Sequence, residues 1–152
     1  MEVVLLLFGP MVKFIDMKAY QSNANPLAGT SGTEIRKKAE VIMRTERART
    51  KRQPYVRSKY FSNSKVFIQP FWQHAWDKSW RDRARRLRYL PCALELIRHS
   101  QLAPETRQST ENRDELLHRF AGKTPGGESF LVQIRENKKT DRKDFMSVFP
   151  GS

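Results

Sequence analysis

Residues 116–149 read LLHRFAGKTPGGESFLVQIRENKKTDRKDFMSVF, and this run decides the fold. Apolar and polar residues alternate along Leu116–Thr124, Ser129–Glu136 and Arg142–Phe149, the period of a half-buried strand. Pro125-Gly126-Gly127 separates the first two pieces, with glycine to supply the positive φ of a tight turn. Asn137–Asp141 forms a second, longer turn. The pattern predicts a three-stranded antiparallel meander.

Alternation also assigns faces, because successive side chains point to opposite sides of a sheet. In the second strand Phe130, Val132 and Ile134 share the side that must be buried; Leu131, Gln133 and Arg135 share the other. In the third strand Met146 and Val148 read as buried, which turns Lys143, Phe145, Ser147 and Phe149 outward. In the first strand the heavier apolar pair, Leu116 and Phe120, flanks His118. That side should face inward, leaving Arg119 outward near Gln133 and Ser147. The expected open face therefore gathers Arg119, Gln133, Arg135, Lys143 and Ser147, with Phe145 and Phe149 beside them. Cationic groups of this kind stabilise phosphate charge, and aromatic rings on a sheet stack bases. The same residues also fit an ordinary solvated sheet face.

Upstream, Pro70 precedes FWQHAWDKSWRDRARRLRYL, in which Phe71, Trp72, Ala75, Trp76, Trp80, Ala84 and Leu87 make a wide apolar stripe. The stripe predicts a core helix whose remaining faces carry Arg81, Arg83, Arg85, Arg86 and Arg88. Pro91 suits the first turn of a further helix, CALELIRHS. Residues 101–113 are polar and read as a loop, KVFIQ at 65–69 reads as a strand, and YVRSKYF at 55–61 alternates basic and aromatic residues. Residues 34–52 have a thin apolar stripe at helical spacing and predict a basic helix ended by Pro54. Residues 21–33, rich in Asn, Ser, Gly and Pro, read as a linker. Two regions follow: an N-terminal segment and linker, 1–33, and one α+β domain, 34–152, in which helices precede a small antiparallel β-sheet and the basic helix forms an N-terminal arm.

The formal charge is +13, and it is unevenly spread. Residues 34–60 carry ten Lys/Arg against three Asp/Glu, and residues 77–98 carry seven against three. Residues 105–152 are nearly balanced, at nine against eight. A field of this size favours nucleic acid or an anionic surface through counterion release and steering. The single cysteine, Cys92, sits in an apolar run, so no internal disulfide forms and the thiol reads as a small buried hydrophobe. No Asp/Glu/His cluster has metal-ligand spacing and no glycine loop cradles a phosphate, so neither metal nor cofactor is expected. The apolar run Val3–Phe8 is too short to span a membrane, and Glu2 stands where a secretory leader carries positive charge. It reads as a core strand or as sequence ahead of a start at Met11 or Met17, which implies a cytoplasmic protein without a membrane partner.

The segments YVRSKYF, KVFIQPFWQH, RLRYLPCALELIR, LLHRFAGKT, FLVQIRE and FMSVFP, in that order, resemble the phage-borne members of the barnase–EndoU–colicin–RelE-like (BECR) nuclease group. The resemblance covers residues 55–150 or so. It implies a compact BECR-like α+β fold and metal-independent ribonuclease activity in a toxin or mobile-element setting. RNA, structured RNA or tRNA included, would be the substrate, and a protein antitoxin a possible partner. On the matching motifs it implies catalytic roles for His118, Arg119, Gln133, Arg135 and Ser147. Lys123, Lys143, Phe145, Phe149, Arg81, Arg85, Arg86, Arg88 and His74 would contact the nucleic acid. Arg135 stands where the resemblance leads one to expect lysine, and arginine does not deprotonate to act as a base. His118 keeps two readings, a general acid or base near neutrality and a core-edge histidine bonded to the backbone. A basic protein that binds nucleic acid without cutting it is the competing expectation.

Overall fold

A computed structural model describes residues 18–151; the Val3–Phe8 run lies outside the described residues. In chain order the elements are β1 (Tyr20–Gln21), α1 (Gly32–Arg49), β2 (Tyr55–Ser58), β3 (Ser64–Phe67), α2 (Gln69–Ala75), α3 (Trp80–Arg88), α4 (Leu90–His99), β4 (Glu105–Gln108), β5 (Glu115–Lys123), β6 (Ser129–Asn137) and β7 (Lys143–Pro150).

Local chemistry accounts for the helix boundaries. Ser31 caps α1 by accepting the Glu34 N–H at 3.1 Å, and the Glu34 carboxylate reaches back to the Thr30 N–H at 3.1 Å. Ile35, Ala39, Met43 and Glu46 then fall on one buried stripe of α1. The single helix expected from Phe71 onward is two. Ser79 accepts the Asp82 N–H at 3.3 Å and starts α3 afresh, so the chain turns between Ala75 and Trp80. That break takes Trp76 and Trp80 off the core stripe: they are 37% and 64% exposed, while Phe71, Ala75 and Leu87 stay buried. Pro70 and Pro91 occupy the first turns of α2 and α4, where a missing N–H costs nothing.

The expected small antiparallel sheet following the helices is overturned. The described residues form four helices and a seven-stranded mixed sheet curled into a half-barrel. Its order is β1-β5-β6-β7-β3-β2, with β4 also paired to β5. The β5–β6–β7 meander is present and forms the centre. β1 adds to β5 in parallel, Tyr20 opposite Gly122, and β3 adds to β7 in parallel, Val66 opposite Lys143. β4 adds antiparallel to β5, Glu105 opposite Arg119, inside the stretch expected to be a loop. β3 falls on the KVFIQ run expected to be a strand, but nothing local gives its parallel partner; β1 and β4 are two and four residues long, too short for periodicity to reveal them.

The stretch expected to be a linker is threaded through the fold. Tyr20 donates to Glu95 at 2.6 Å, and the Asn23 and Ala24 N–H groups donate to the same carboxylate. Gly122, the register partner of Tyr20, lets α4 and the Phe130 ring pack closely on β5: a Cβ there would clash with Phe130 and meet Leu96 Cδ1 at 2.9 Å. The core lies between the helices and one face of the sheet. Leu90, Ala93, Leu94, Leu96 and Ile97 of α4 share it with Phe120, Phe130, Val132 and Ile134.

One irregularity changes which side chains that face carries. Gln133 pairs with Ser147 but Ile134 pairs with Phe145, so Met146 is an extra residue in β7. The bulge inverts the alternation ahead of it. Phe145 is fully buried, stacked on Phe71 with ring centroids 4.5 Å apart, and Lys143 is 4% exposed. The expected outward placement of Phe145 and Lys143 is therefore corrected. Val148, Ser147 and Phe149 lie beyond the bulge and keep the faces that alternation assigns.

Candidate functional site

Strand register lays two rows of side chains across the sheet face opposite the core. The first runs Glu105–Arg119–Gln133–Ser147 over β4, β5, β6 and β7. The second runs Leu117–Arg135–Asp144–Phe67–Tyr55 over β5, β6, β7, β3 and β2. Of the five residues that the resemblance marks as catalytic, Arg119, Gln133, Arg135 and Ser147 share this face.

The first row is hydrogen bonded. Arg119 Nε donates to Gln133 Oε1 at 2.9 Å. Arg86 of α3 reaches over the part of β7 beyond its pairing with β3, where Nη1 donates to Ser147 Oγ and, at 3.3 Å, to the Val148 carbonyl. Both guanidiniums lie against Phe149: Arg119 Cζ is 4.5 Å and Arg86 Cζ 4.8 Å from its ring centroid. Asp82 accepts from Arg86 Nε at 3.1 Å, which fixes its planar fork. Arg119 is half-buried. Burial first, then the neighbouring Arg107, push its pKa down to about 10, against the opposing pull of Glu105. It remains charged at neutral pH, in surroundings that an arriving anion would stabilise.

In the second row Arg135 Nη2 donates to Asp144 Oδ2 and Arg142 Nε to Asp144 Oδ1, each at 2.9 Å. A shallow basin beside this carboxylate brings His74 and Gln73 of α2 next to Arg135, Arg142 and Met146. His74 is exposed there, 3.8 Å from Asp77.

His118 is on the other face. It is 6% exposed and lies 5.1 Å, ring to ring, from Phe61. Nδ1 meets Thr106 Oγ1 at 2.7 Å and Nε2 meets Glu136 Oε1 at 2.8 Å. With Glu136 accepting from Nε2–H, the neutral ring takes the Thr106 hydroxyl proton in a hydrogen bond at Nδ1, and β4 is thereby fastened to β5. Lys143 closes the cluster, 2.9 Å from Asp141 Oδ1 and 3.8 Å from Glu136 Oε2. Burial lowers the His118 pKa; Glu136 opposes this and Lys143 adds to it. The unfolded imidazole, with a pKa near 6.5, then binds protons that the folded one refuses. Stability should fall as the pH drops below about 6.5 towards the folded pKa. Denaturation midpoints at pH 7 and pH 5 should differ more in the wild type than in His118→Gln. Equal differences would remove His118 as the source.

The remaining predicted contacts divide. Arg81 and Arg85 are exposed on α3, Arg85 3.5 Å from Asp82. Arg88 turns towards its own chain, with Nη1 on the Leu27 carbonyl at 3.1 Å and Nη2 on that of Gly29 at 3.3 Å. Lys123 is exposed at the end of β5, where its carbonyl receives the Ser22 N–H at 2.8 Å. Sequence reasoning missed Glu105 and Arg107, because a strand reading ETRQ has no apolar residue to reveal its period. Arg86 is among the expected nucleic-acid contacts; its bond to Ser147 depends on α3 meeting the C-terminal half of β7.

Among the described residues no group of three His, Cys, Asp or Glu could hold a metal ion. Among them, too, no helix is long and apolar enough to cross a membrane. Comparison of the chain with protein-family models, curated proteins and solved structures finds no match.

Proposed function

We propose that this chain is a metal-independent endoribonuclease whose phosphate site is the outer face of β4–β7. The observation that carries the reading is the convergence of Arg86 and Arg119 on the Phe149 ring, with Gln133 and Ser147 bonded to them. Two forked cations, one held by a carboxylate and one half-buried, are preorganised to stabilise a pentacovalent phosphorus. The order of motifs quoted from residues 55–150 points the same way, towards the BECR nucleases.

The geometry moves the proton away from His118. Its imidazole lies across the sheet from Arg119, with both nitrogens engaged. Glu105, the register partner of Arg119, is the carboxylate suited to accept the 2′-hydroxyl proton. The 2′-oxygen would then attack the adjacent phosphorus as the 5′-oxygen leaves, taking its proton from solvent. The products are a 2′,3′-cyclic phosphate and a 5′-hydroxyl.

Binding without cleavage is favoured by a different observation. Gln133, Ser147 and Asp144 are already paired with Arg119, Arg86 and Arg135, so the face is also complete as a docking surface. Labelled RNA incubated with the protein and a chelator separates the two. Cleavage that a 2′-deoxy substitution at the scission site abolishes is the expected result. Equal cleavage of the deoxy strand would overturn the mechanism, and salt-dependent binding with no cleavage would leave the docking role alone.

A further inference from the structure

At the far end of the sheet from Arg119, a groove of about 780 Å³ opens between the end of α1 and the outer side of β2–β3. Its wall is basic and aromatic. Lys51 and Arg52 come from the turn after α1, Lys65 from β3 and Arg142 from the residue before β7. Tyr55 and Phe67 form the floor, an edge-to-face pair with centroids 6.1 Å apart. No acidic residue lines it. Arg142 is balanced by Asp144, but no carboxylate lies within ion-pair range of Lys51, Arg52 or Lys65 among the described residues. The rings are already in cationic surroundings, with Lys65 Nζ 4.8 Å from the Tyr55 centroid and Arg142 Cζ 4.1 Å from that of Phe67.

We infer that this groove is a second nucleic-acid site, which holds single-stranded RNA upstream or downstream of the bond being cut. The inference rests on the nuclease reading of the outer face and extends it. Cations without a carboxylate partner beside partly exposed aromatic rings suit a strand whose phosphates and bases are both accessible; in a duplex the bases are stacked away. The guanidinium plane of Arg142 is itself a stacking surface. The groove also leads to the phosphate site. Arg142 belongs to both the groove and the basin beside α2, and Arg135 of that basin is two residues along β6 from Gln133. Asp144 between them is 5% exposed; Asp77 also lines the basin, and Glu115 lies 3.9 Å from Arg135. A strand lying in the groove thus follows β7 and β6 to reach Arg119, and strand length becomes a determinant of affinity.

The test uses the full chain, fluorescent 16-mer and 4-mer oligouridylates, and salt titrations. Lys51→Ala, Arg52→Ala and Lys65→Ala are combined in one variant, since all three side chains are exposed. Each lost phosphate contact lowers the salt slope for a single strand by about 0.7, so the 16-mer slope should fall by about 2. Binding of the 4-mer, and its loss in Arg119→Ala, should be the same in the triple variant and the wild type. Tyr55→Leu should weaken 16-mer binding about tenfold, as expected of one lost base stack, with the salt slope retained. Unchanged 16-mer affinity and slope in the triple variant, alongside loss in Arg119→Ala, would overturn the groove and leave the phosphate site standing. Absence of binding to either oligonucleotide by the wild type would end both readings. A duplex of equal length, or polyglutamate, that competes as well as the 16-mer and is insensitive to Tyr55→Leu would also overturn single-stranded RNA as the occupant.

Discussion

Arg119→Ala should lower RNA cleavage by about 10²–10³-fold, the loss expected when one preorganised donor to a developing oxyanion is removed. The substitution takes away a charge, a fork and one of the two cations on the Phe149 ring. Arg119→Lys should recover only part of the rate, because an ammonium keeps the charge but not the planar geometry that lies on Phe149 while bonding Gln133. Arg86→Ala should act in the same direction, with the Ser147 hydroxyl and the Val148 carbonyl left without their donor. The fold should survive both changes, since neither side chain belongs to the core cluster. Rates within a factor of three of wild type for Arg119→Ala, measured on folded protein, would remove the outer face from the chemistry.

Phe145→Ala should cost about 3–5 kcal/mol of stability, the range for truncating a buried aromatic. Phe145 is 0% exposed and lies flat against Phe71, so alanine leaves a cavity between β7 and α2. Phe149→Ala should cost far less, roughly 1 kcal/mol, because that ring is partly exposed and its specific contacts are the two cation–π pairs. Strict alternation makes Phe145 and Phe149 equivalent surface residues, so the contrast tests the bulge at Met146 directly. Equal denaturation midpoints for the two variants would show that β7 pairs without the extra residue.

That contrast marks the boundary of what residues 116–149 reveal. Phe130, Val132 and Ile134 alternate with Leu131, Gln133 and Arg135 without interruption, and β6 obeys the pattern throughout. Beta7 does not, because a bulge is a property of the pair: Met146 is extra only relative to β6. The site divides in the same way. Arg119 and Gln133 were legible as neighbours from alternation and a two-strand register. Arg86 was not, because nothing local to RRLRYL says which edge of the sheet α3 will meet. His118 sat correctly on the inward side, yet its fastening to Thr106 and Glu136 needed β4, a strand with no hydrophobic signature.

Alone, the sequence settled the local elements with strong periodicity or turn chemistry: the central meander, the α4 helix and the basic helix α1. It also established the excess of positive charge. The tertiary structure decided the rest. It placed β1 and β3 in parallel against strands far away in the chain, closed the sheet into a half-barrel and inserted the bulge that buries Phe145. It also brought Arg86, Arg119 and Phe149 together, and set Lys51, Arg52 and Lys65 around Tyr55 and Phe67. The physical reason is range. Periodicity and capping are interactions within one turn or one strand, whereas parallel pairing, register shifts and convergent cations depend on groups that meet only after the chain has closed long loops.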